Sequence, residues 1–330
     1  MTDMAGSTVV RYRFPVAAAI LFPTMLLYCL TVQATAAPSH GGIEGIPLVI
    51  DAHIHFGAGG SGMEPEDPDV YIEELAAECK RIKVDHVCLN GFGWPKYGSE
   101  CNQLVLTAQE RHPDLVVPVA FYRLGKDDPD LLAGFKAQGF RMIKMISPTA
   151  PWSDPRFDPV WAQCQSLGLP VLLHTGVISR YFEPRFAIFR DIEPRQEFTH
   201  PWTLDRVARK FPELVIIGGH FGCPWYMISS EVMRTNPNVY FDMSWITGAH
   251  LDFLREGRTD RLDDFIFWCE KALWWEGAWD RIVLGSDHTV ANIKRTIDRH
   301  QLIMDRLDLP LESRRNVFGG TMATILGLDK

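Results

Sequence analysis

The 330-residue sequence predicts an α/β fold, a closed (β/α)8 TIM barrel in a single domain. Three observations predict it. From Pro47 onward, eight short apolar runs alternate with segments of helical periodicity. No low-complexity linker divides them, so about 285 residues read as one continuous array, the usual size of such a barrel. No G-x-G-x-x-G follows the first run, as a doubly wound dinucleotide fold would show.

Taken in order, the predicted strands are Leu48–Ile54, His86–Leu89, Leu115–Phe121, Phe140–Ile146, Pro170–Leu173, Leu214–Ile217, Val239–Phe241 and Arg281–Leu284. Each is rich in branched residues and bounded by Gly, Pro or Asp, the pattern of parallel strands buried on both faces. Helical spacing falls between them at Val70–Ile82, Asp158–Leu167, Leu204–Phe211 and Ile293–Arg306. Strand-then-helix units wind right-handed and build a parallel sheet. Two connections, Thr175–Phe198 and Thr247–Trp279, are long, and loops leaving the carboxyl ends of barrel strands form the functional rim.

The chain carries 33 Lys and Arg against 41 Asp and Glu, a net charge of −8. That balance excludes nucleic acid as a partner, because binding a phosphate backbone needs a basic field. Hydrophobic residues at 46% exclude a disordered chain. The cysteines are widely spaced with no C-x-x-C, so they read as small buried hydrophobes.

Residues 1–36 read as a secretory signal peptide or an uncleaved anchor, 37–46 as a short linker, and 47–330 as the barrel domain. Arg11 and Arg13 precede an uncharged run from Phe14 to Leu30, and Ala34-Thr35-Ala36 supplies a small-x-small cleavage site. This predicts an exported, periplasmic or secreted protein whose membrane contact is limited to an uncleaved leader. Initiation at Met25 would instead leave a cytoplasmic protein.

The sharpest local pattern is Asp51-Ala52-His53-Ile54-His55. Side chains alternate along a strand, so His53 and His55 share a face, where two neutral imidazoles suit one metal ion. Taken alone, the pattern fits surface or core histidines equally well. The rest of the chain changes that balance. His174, His220 and Asp287 each end an apolar run, the level at which barrel enzymes carry their chemistry.

With these residues in view, the chain resembles the amidohydrolase superfamily. The similarity is to its amidohydrolase-related branch of metal-dependent hydrolases and decarboxylases, which includes aminocarboxymuconate-semialdehyde decarboxylase. It spans Val49 to Leu328 and rests on Val49-Ile50-Asp51-Ala52-His53-Ile54-His55, Gly139-Phe140-Arg141-Met142-Ile143-Lys144, Leu172-Leu173-His174-Thr175-Gly176, Gly219-His220-Phe221-Gly222, Asn238-Val239-Tyr240-Phe241-Asp242-Met243-Ser244 and Gly285-Ser286-Asp287. The resemblance implies one divalent metal ion, Zn2+ with Mn2+ as the alternative, held by His53, His55, His174 and Asp287. It also implies His220 and Asp287 as the catalytic pair and a homo-oligomer. The implied substrate is a small molecule bearing a carboxylate. The implied activity is hydrolysis of an ester, lactone or amide. Decarboxylation of an unsaturated or aromatic acid is the alternative, and a catalytically inactive metal-binding barrel is the alternative of another class. The chain departs from the family after Asp287, with His288 and Thr289 where an aromatic and a proline are common, and at Gly320-Thr321-Met322-Ala323 where Asn-Ala is common.

Other residues are assigned by weighing function against packing. Some superfamily members carbamylate a lysine at the level of Lys144, but one metal is usual in the branch resembled. Lys144 is therefore read as unmodified, pairing with a carboxylate or a substrate anion. Arg180, Arg185, Arg190 and Arg195 read mainly as a solvated rim, with one of them available to a substrate carboxylate. The aromatic stretch from Phe265 to Trp279 reads as core or subunit interface. Trp94, Trp152, Trp225 and Trp245 read as pocket lining. Mass spectrometry of protein from its native host should find a mature chain beginning near Ala37, and an intact leader on soluble cytosolic protein contradicts the export reading.

Overall fold

The computed structural model describes residues 43, 45–56, 67–92, 100–178, 194–244, 260–287 and 290–328. The predicted leader, Trp94, Arg180, Arg185, Arg190, Trp245 and residues 179–193 and 247–259 of the two long connections lie outside them. Residues Gly42–Lys330 form one compact unit. Among the described residues, no helix is long and apolar enough to cross a membrane.

Eight parallel strands follow one another in sequence order around a single sheet. They are β1 (Ile50–His55), β2 (His86–Asn90), β3 (Val116–Phe121), β4 (Met142–Met145), β5 (Val171–Leu173), β6 (Ile216–Gly218), β7 (Val239–Asp242) and β8 (Ile282–Val283). Each lies within two residues of its predicted run at either end. The Ala52 N–H donates to Leu284 O at 2.8 Å, which ties the chain after the last strand to the first. Between strands lie α1 (Pro68–Ile82), α2 (Glu100–Arg111), α3 (Leu131–Ala137), α4 (Asp158–Ser166), α5 (Thr203–Lys210), α6 (Tyr226–Thr235) and α7 (Asp260–Ala272). After β8 come α8 (Val290–Arg306), α9 (Leu311–Arg315), a π turn at Asn316–Gly320 and α10 (Thr321–Leu326).

The local signals explain these elements. Helix α1 starts at Pro68 because proline lacks the N–H that a first helical turn leaves unused. Asp67 caps it by accepting from Asp69 N at 2.8 Å. It stops where Lys83 turns into the left-handed region at φ 58°.

Strand alternation sorts the apolar residues into two cores. Val171, Leu173, Ile216, Val239 and Phe241 point outward and pack with Leu75, Leu204 and Val232 of the helices. Ile50, Ala52, Val119, Met142, Leu172, Ile217 and Val283 fill the barrel. Met322, Ala323 and Leu326 of α10 join that inner core, and Arg141 holds the Leu326 carbonyl. The C-terminal helix therefore closes one end of the barrel and leaves the other for chemistry.

Strand β1 breaks its own alternation. Its register against β2 shifts between Asp51 and Ile54. Ile50 and Ala52 lie in the inner core, Ile54 in the outer one, and His53 turns inward beside Lys144. A bulge changes the parity of a strand in this way, and it re-aims side chains next to functional sites.

Because Met322 is buried at the closed end, Met322→Ala should cost about 2–5 kcal/mol of unfolding free energy in urea titration. A cost under about 1 kcal/mol would show that α10 does not complete the core.

A candidate metal centre at the barrel mouth

The five predicted site residues come from four strand ends, those of β1, β5, β6 and β8, and are all buried. His53 and His55 end β1, and their Nε2 atoms lie 3.1 Å apart. Asp287, from the turn after β8, places Oδ1 3.0 Å from His55 Nε2 and 3.1 Å from His53 Nε2. His174 follows β5 directly, and its Nδ1 lies 3.0 Å from His220 Nε2. His220 Nδ1 in turn stands 4.0 Å from Asp287 Oδ2. A donor grouping of His53, His220 and Asp287 has ligand atoms within 4.8 Å of one another. His220, predicted only as a catalytic residue, thus joins the candidate ligands geometrically, while His174 contacts the group through it.

The backbone is bent to achieve this. His220 lies at φ 62°, ψ 18°, and Asp287 at φ 65°, the left-handed region that costs an L-residue about 1–2 kcal/mol. Two buried hydrogen bonds hold these turns. Asp242 Oδ1 accepts the His220 N–H at 2.9 Å, and His53 O accepts the Asp287 N–H at 2.6 Å. Gly285 makes the close approach between strands feasible, since a Cβ there would lie 3.0 Å from His53 Cβ and 3.1 Å from Asp242 Cβ.

Beneath the imidazoles sit residues to which the sequence reading gave no role. Asp242, the last residue of β7, takes His53 Nδ1 on Oδ2 at 2.8 Å. Its Oδ1 accepts from Ser244 N at 3.0 Å and from Ser244 Oγ at 2.6 Å. Asp51 Oδ1 accepts from His53 N at 3.1 Å and Ser286 N at 3.0 Å, pinning β1 to the turn that carries Asp287. The signal for Asp242 was present: a carboxylate at a strand's carboxyl end, spaced two residues from a hydroxyl.

Some assignments change. Lys144 is buried, and among the described residues its Nζ hydrogen-bonds His53 Nε2 at 2.8 Å rather than a carboxylate, because β4 points it across the barrel interior. Trp152 is fully buried against Trp161 and so belongs to the core. Trp225 is half-buried against His200. The aromatic stretch divides, with Phe265 and Trp279 buried and Phe267, Trp268 and Trp274 exposed. Arg195 stacks on Phe198 at the rim. The described cysteines are free thiols, most of them buried.

Burial sets the electrostatics. It pushes His53 and His220 down to about 4 and His174 well below the usual imidazole range, so all three are neutral near pH 7. Burial likewise lowers Lys144 to about 8, against the pull of Asp287 and Asp242. Asp51 is pushed up to about 7 by burial. Burial would also raise Asp242, but the His53 and Ser244 contacts outweigh it and hold that carboxyl below its ordinary range. Asn90 Oδ1 at the end of β2, Ser147 Oγ after β4 and His174 Nε2 have no hydrogen-bond partner among the described residues.

These shifts fix a sign. An imidazole neutral in the fold but protonated in the unfolded chain makes stability fall as pH drops from 6.5 towards about 4. Asp51 acts oppositely, costing stability as pH rises from 3.8 through about 7. Replacing His220 by Gln removes one imidazole and leaves Asp51 in place. In chelator-treated protein, the loss of thermal midpoint between pH 6.5 and pH 4.5 should be smaller in His220→Gln than in the native chain. Equal losses would contradict a neutral buried His220.

The fold recurs in solved structures of low sequence identity. An uncharacterised TIM-barrel protein from Bordetella bronchiseptica shares 18% identity, with 85% of this chain and 98% of that one covered and a TM-score of 0.59. A probable 2-pyrone-4,6-dicarboxylic acid hydrolase from Acinetobacter baumannii, with citric acid bound, shares 15%, covering 85% and 99%, at 0.55. A dihydroxybenzoic acid decarboxylase from a Polaromonas species, with manganese and the inhibitor 2-nitroresorcinol bound, shares 16%, covering 86% and 98%, at 0.53. No curated protein matches the chain. The amidohydrolase family model matches residues 50–328, the whole barrel from β1 through α10. The chain belongs to the amidohydrolase family.

Proposed function

We propose that the chain is a metal-dependent hydrolase that directs an activated water at a small acidic ester, lactone or amide. The observation that carries this is the convergence of His53 Nε2, His55 Nε2 and Asp287 Oδ1 within 3.1 Å of one another in a buried mouth. These donors fit a divalent cation. His53 presents its Nε2 lone pair because Nδ1 faces the Asp242 carboxylate, and with His55 Nε2 and Asp287 Oδ1 it makes a converging nitrogen and oxygen donor set of the kind a divalent cation takes. His53, His55, His174 and Asp287 would hold the ion, Zn2+ or, for this nitrogen and oxygen set, Mn2+. When bound, it supplies Lewis acidity to an oxygen at the open position.

The remaining chemistry belongs to the chain. Asp287 Oδ2 takes the proton of the attacking water. His220 moves a proton at Nε2, and the charge it gains is offset through Ser244 Oγ, 2.9 Å from Nδ1, and the Asp242 carboxylate beyond it. Both ring nitrogens of His220 are engaged, so this transfer requires its contact with His174 to give way as substrate enters. Lys144, buried beside His53, supplies a cation for a substrate anion, and this favours carboxy-lyase activity as the second reading.

Export by the amino-terminal leader is part of the proposal. His220→Ala should lower turnover by at least about a hundredfold in either reaction, the scale of a lost proton-transfer group. Oxygen-18 from labelled water entering an acyl product supports hydrolysis. Released carbon dioxide without such label overturns it in favour of the carboxy-lyase.

A further inference from the structure

The hydrogen bonds beneath the mouth form one directed chain. Asp242 is fully buried, and its Oδ1 receives three donors: the His220 N–H at 2.9 Å, the Ser244 N–H at 3.0 Å and the Ser244 hydroxyl at 2.6 Å. Two are backbone N–H groups that can only donate, so this oxygen accepts throughout. Ser244 has one hydroxyl hydrogen, and Asp242 takes it. At 2.9 Å from His220 Nδ1, Ser244 Oγ therefore accepts, and His220 carries its hydrogen on Nδ1. His220 Nε2 is then a lone pair, so His174 Nδ1, 3.0 Å away, must donate to it. His174 Nε2 is left bare, and it is buried with no hydrogen-bond partner among the described residues. On the other side, Asp242 Oδ2 lies 2.8 Å from His53 Nδ1 and accepts from it, so His53 Nε2 keeps its lone pair and accepts from Lys144 Nζ at 2.8 Å in the metal-free protein.

We propose that Asp242, with Ser244 as its relay, is the positioning residue that sets the tautomers of His53, His220 and His174. One carboxylate thereby turns two Nε2 lone pairs, on strands β1 and β5, into ligands and keeps His220 Nε2 in its proton-accepting form. This rests on the metal-binding reading above for its purpose, but the hydrogen-bond logic stands on the metal-free protein.

The geometry also foretells what an isosteric change does. In Asp242→Asn the amide oxygen must occupy the Oδ1 place, because three donors converge there. The amide nitrogen then faces His53 Nδ1, now donor to donor. His53 relieves this clash by moving its hydrogen to Nε2, which gives up the hydrogen bond from Lys144 Nζ and removes the lone pair that would bind a cation.

The test uses metal-free protein labelled with nitrogen-15 in its 11 histidines, assigned by single substitutions. Long-range proton–nitrogen correlation spectra report each tautomer. In the native chain, His53, His174 and His220 should all carry hydrogen on Nδ1. Asp242→Asn should move His53 to Nε2–H and weaken Zn2+ binding, read by chelator competition, by about 10- to 100-fold. Ser244→Ala should leave His53 unchanged while releasing His220 and His174, a pattern that general destabilisation does not produce. An Nε2–H tautomer at any of the three in the native chain overturns the proposal. So does an Asp242→Asn protein that folds, keeps His53 on Nδ1 and binds Zn2+ within about twofold of native. If Asp242→Asn does not fold, the native spectrum and Ser244→Ala decide. The expected tautomers without Zn2+ binding would support the chain and count against the metal-binding reading alone.

Discussion

A carboxylate inside a barrel is costly unless donors surround it, and Asp242 is surrounded by four. The organisation of the mouth depends on that arrangement. The donors arrive from three strand ends: His53 from β1, the His220 N–H from the turn after β6, and Ser244 from just beyond β7 itself. Satisfying the charge therefore fixes how these turns sit relative to one another. A buried carboxylate that loses even one donor becomes a net penalty, so the network is specific as well as stabilising.

The same constraint explains where strain is stored. His220 and Asp287 adopt left-handed backbone that neither residue prefers. Each turn is held by a bond to the interior, His220 by Asp242 and Asp287 by the His53 carbonyl. Glycine at 285 removes the Cβ that would otherwise separate His53 from Asp242. The opposite end of the barrel contributes rigidity, since α10 packs its apolar side chains into the interior below the site. Chemistry at one end and closure at the other follow from one alternation of side chains along the strands.

Much of this was legible in the sequence. Eight apolar runs gave the strands because parallel strands buried on both faces leave an unbroken apolar signature. His53 and His55 were correctly placed on one face by their spacing of two. What periodicity could not show was the bulge between Asp51 and Ile54, which lets Ala52 and His53 both face the interior. The contact of Lys144 with His53 was not legible, because the two lie ninety-one positions apart and meet across the barrel. Asp242 and Ser244 stood in a quoted motif without a role, although a carboxylate at a strand's carboxyl end two residues from a hydroxyl was there to be read. Trp152 shows the converse: a position just after a strand suggested the pocket, yet packing against Trp161 claimed it for the core.

On the proposed function, His53, His55, His174 and Asp287 hold one divalent cation. Metal analysis of the purified protein, after chelation and reconstitution with Zn2+ or Mn2+, tests it most directly. One tightly bound ion per chain is expected, lost in a protein lacking the His53 and His55 imidazoles. Less than half an equivalent after reconstitution, or equal binding without those imidazoles, would contradict it.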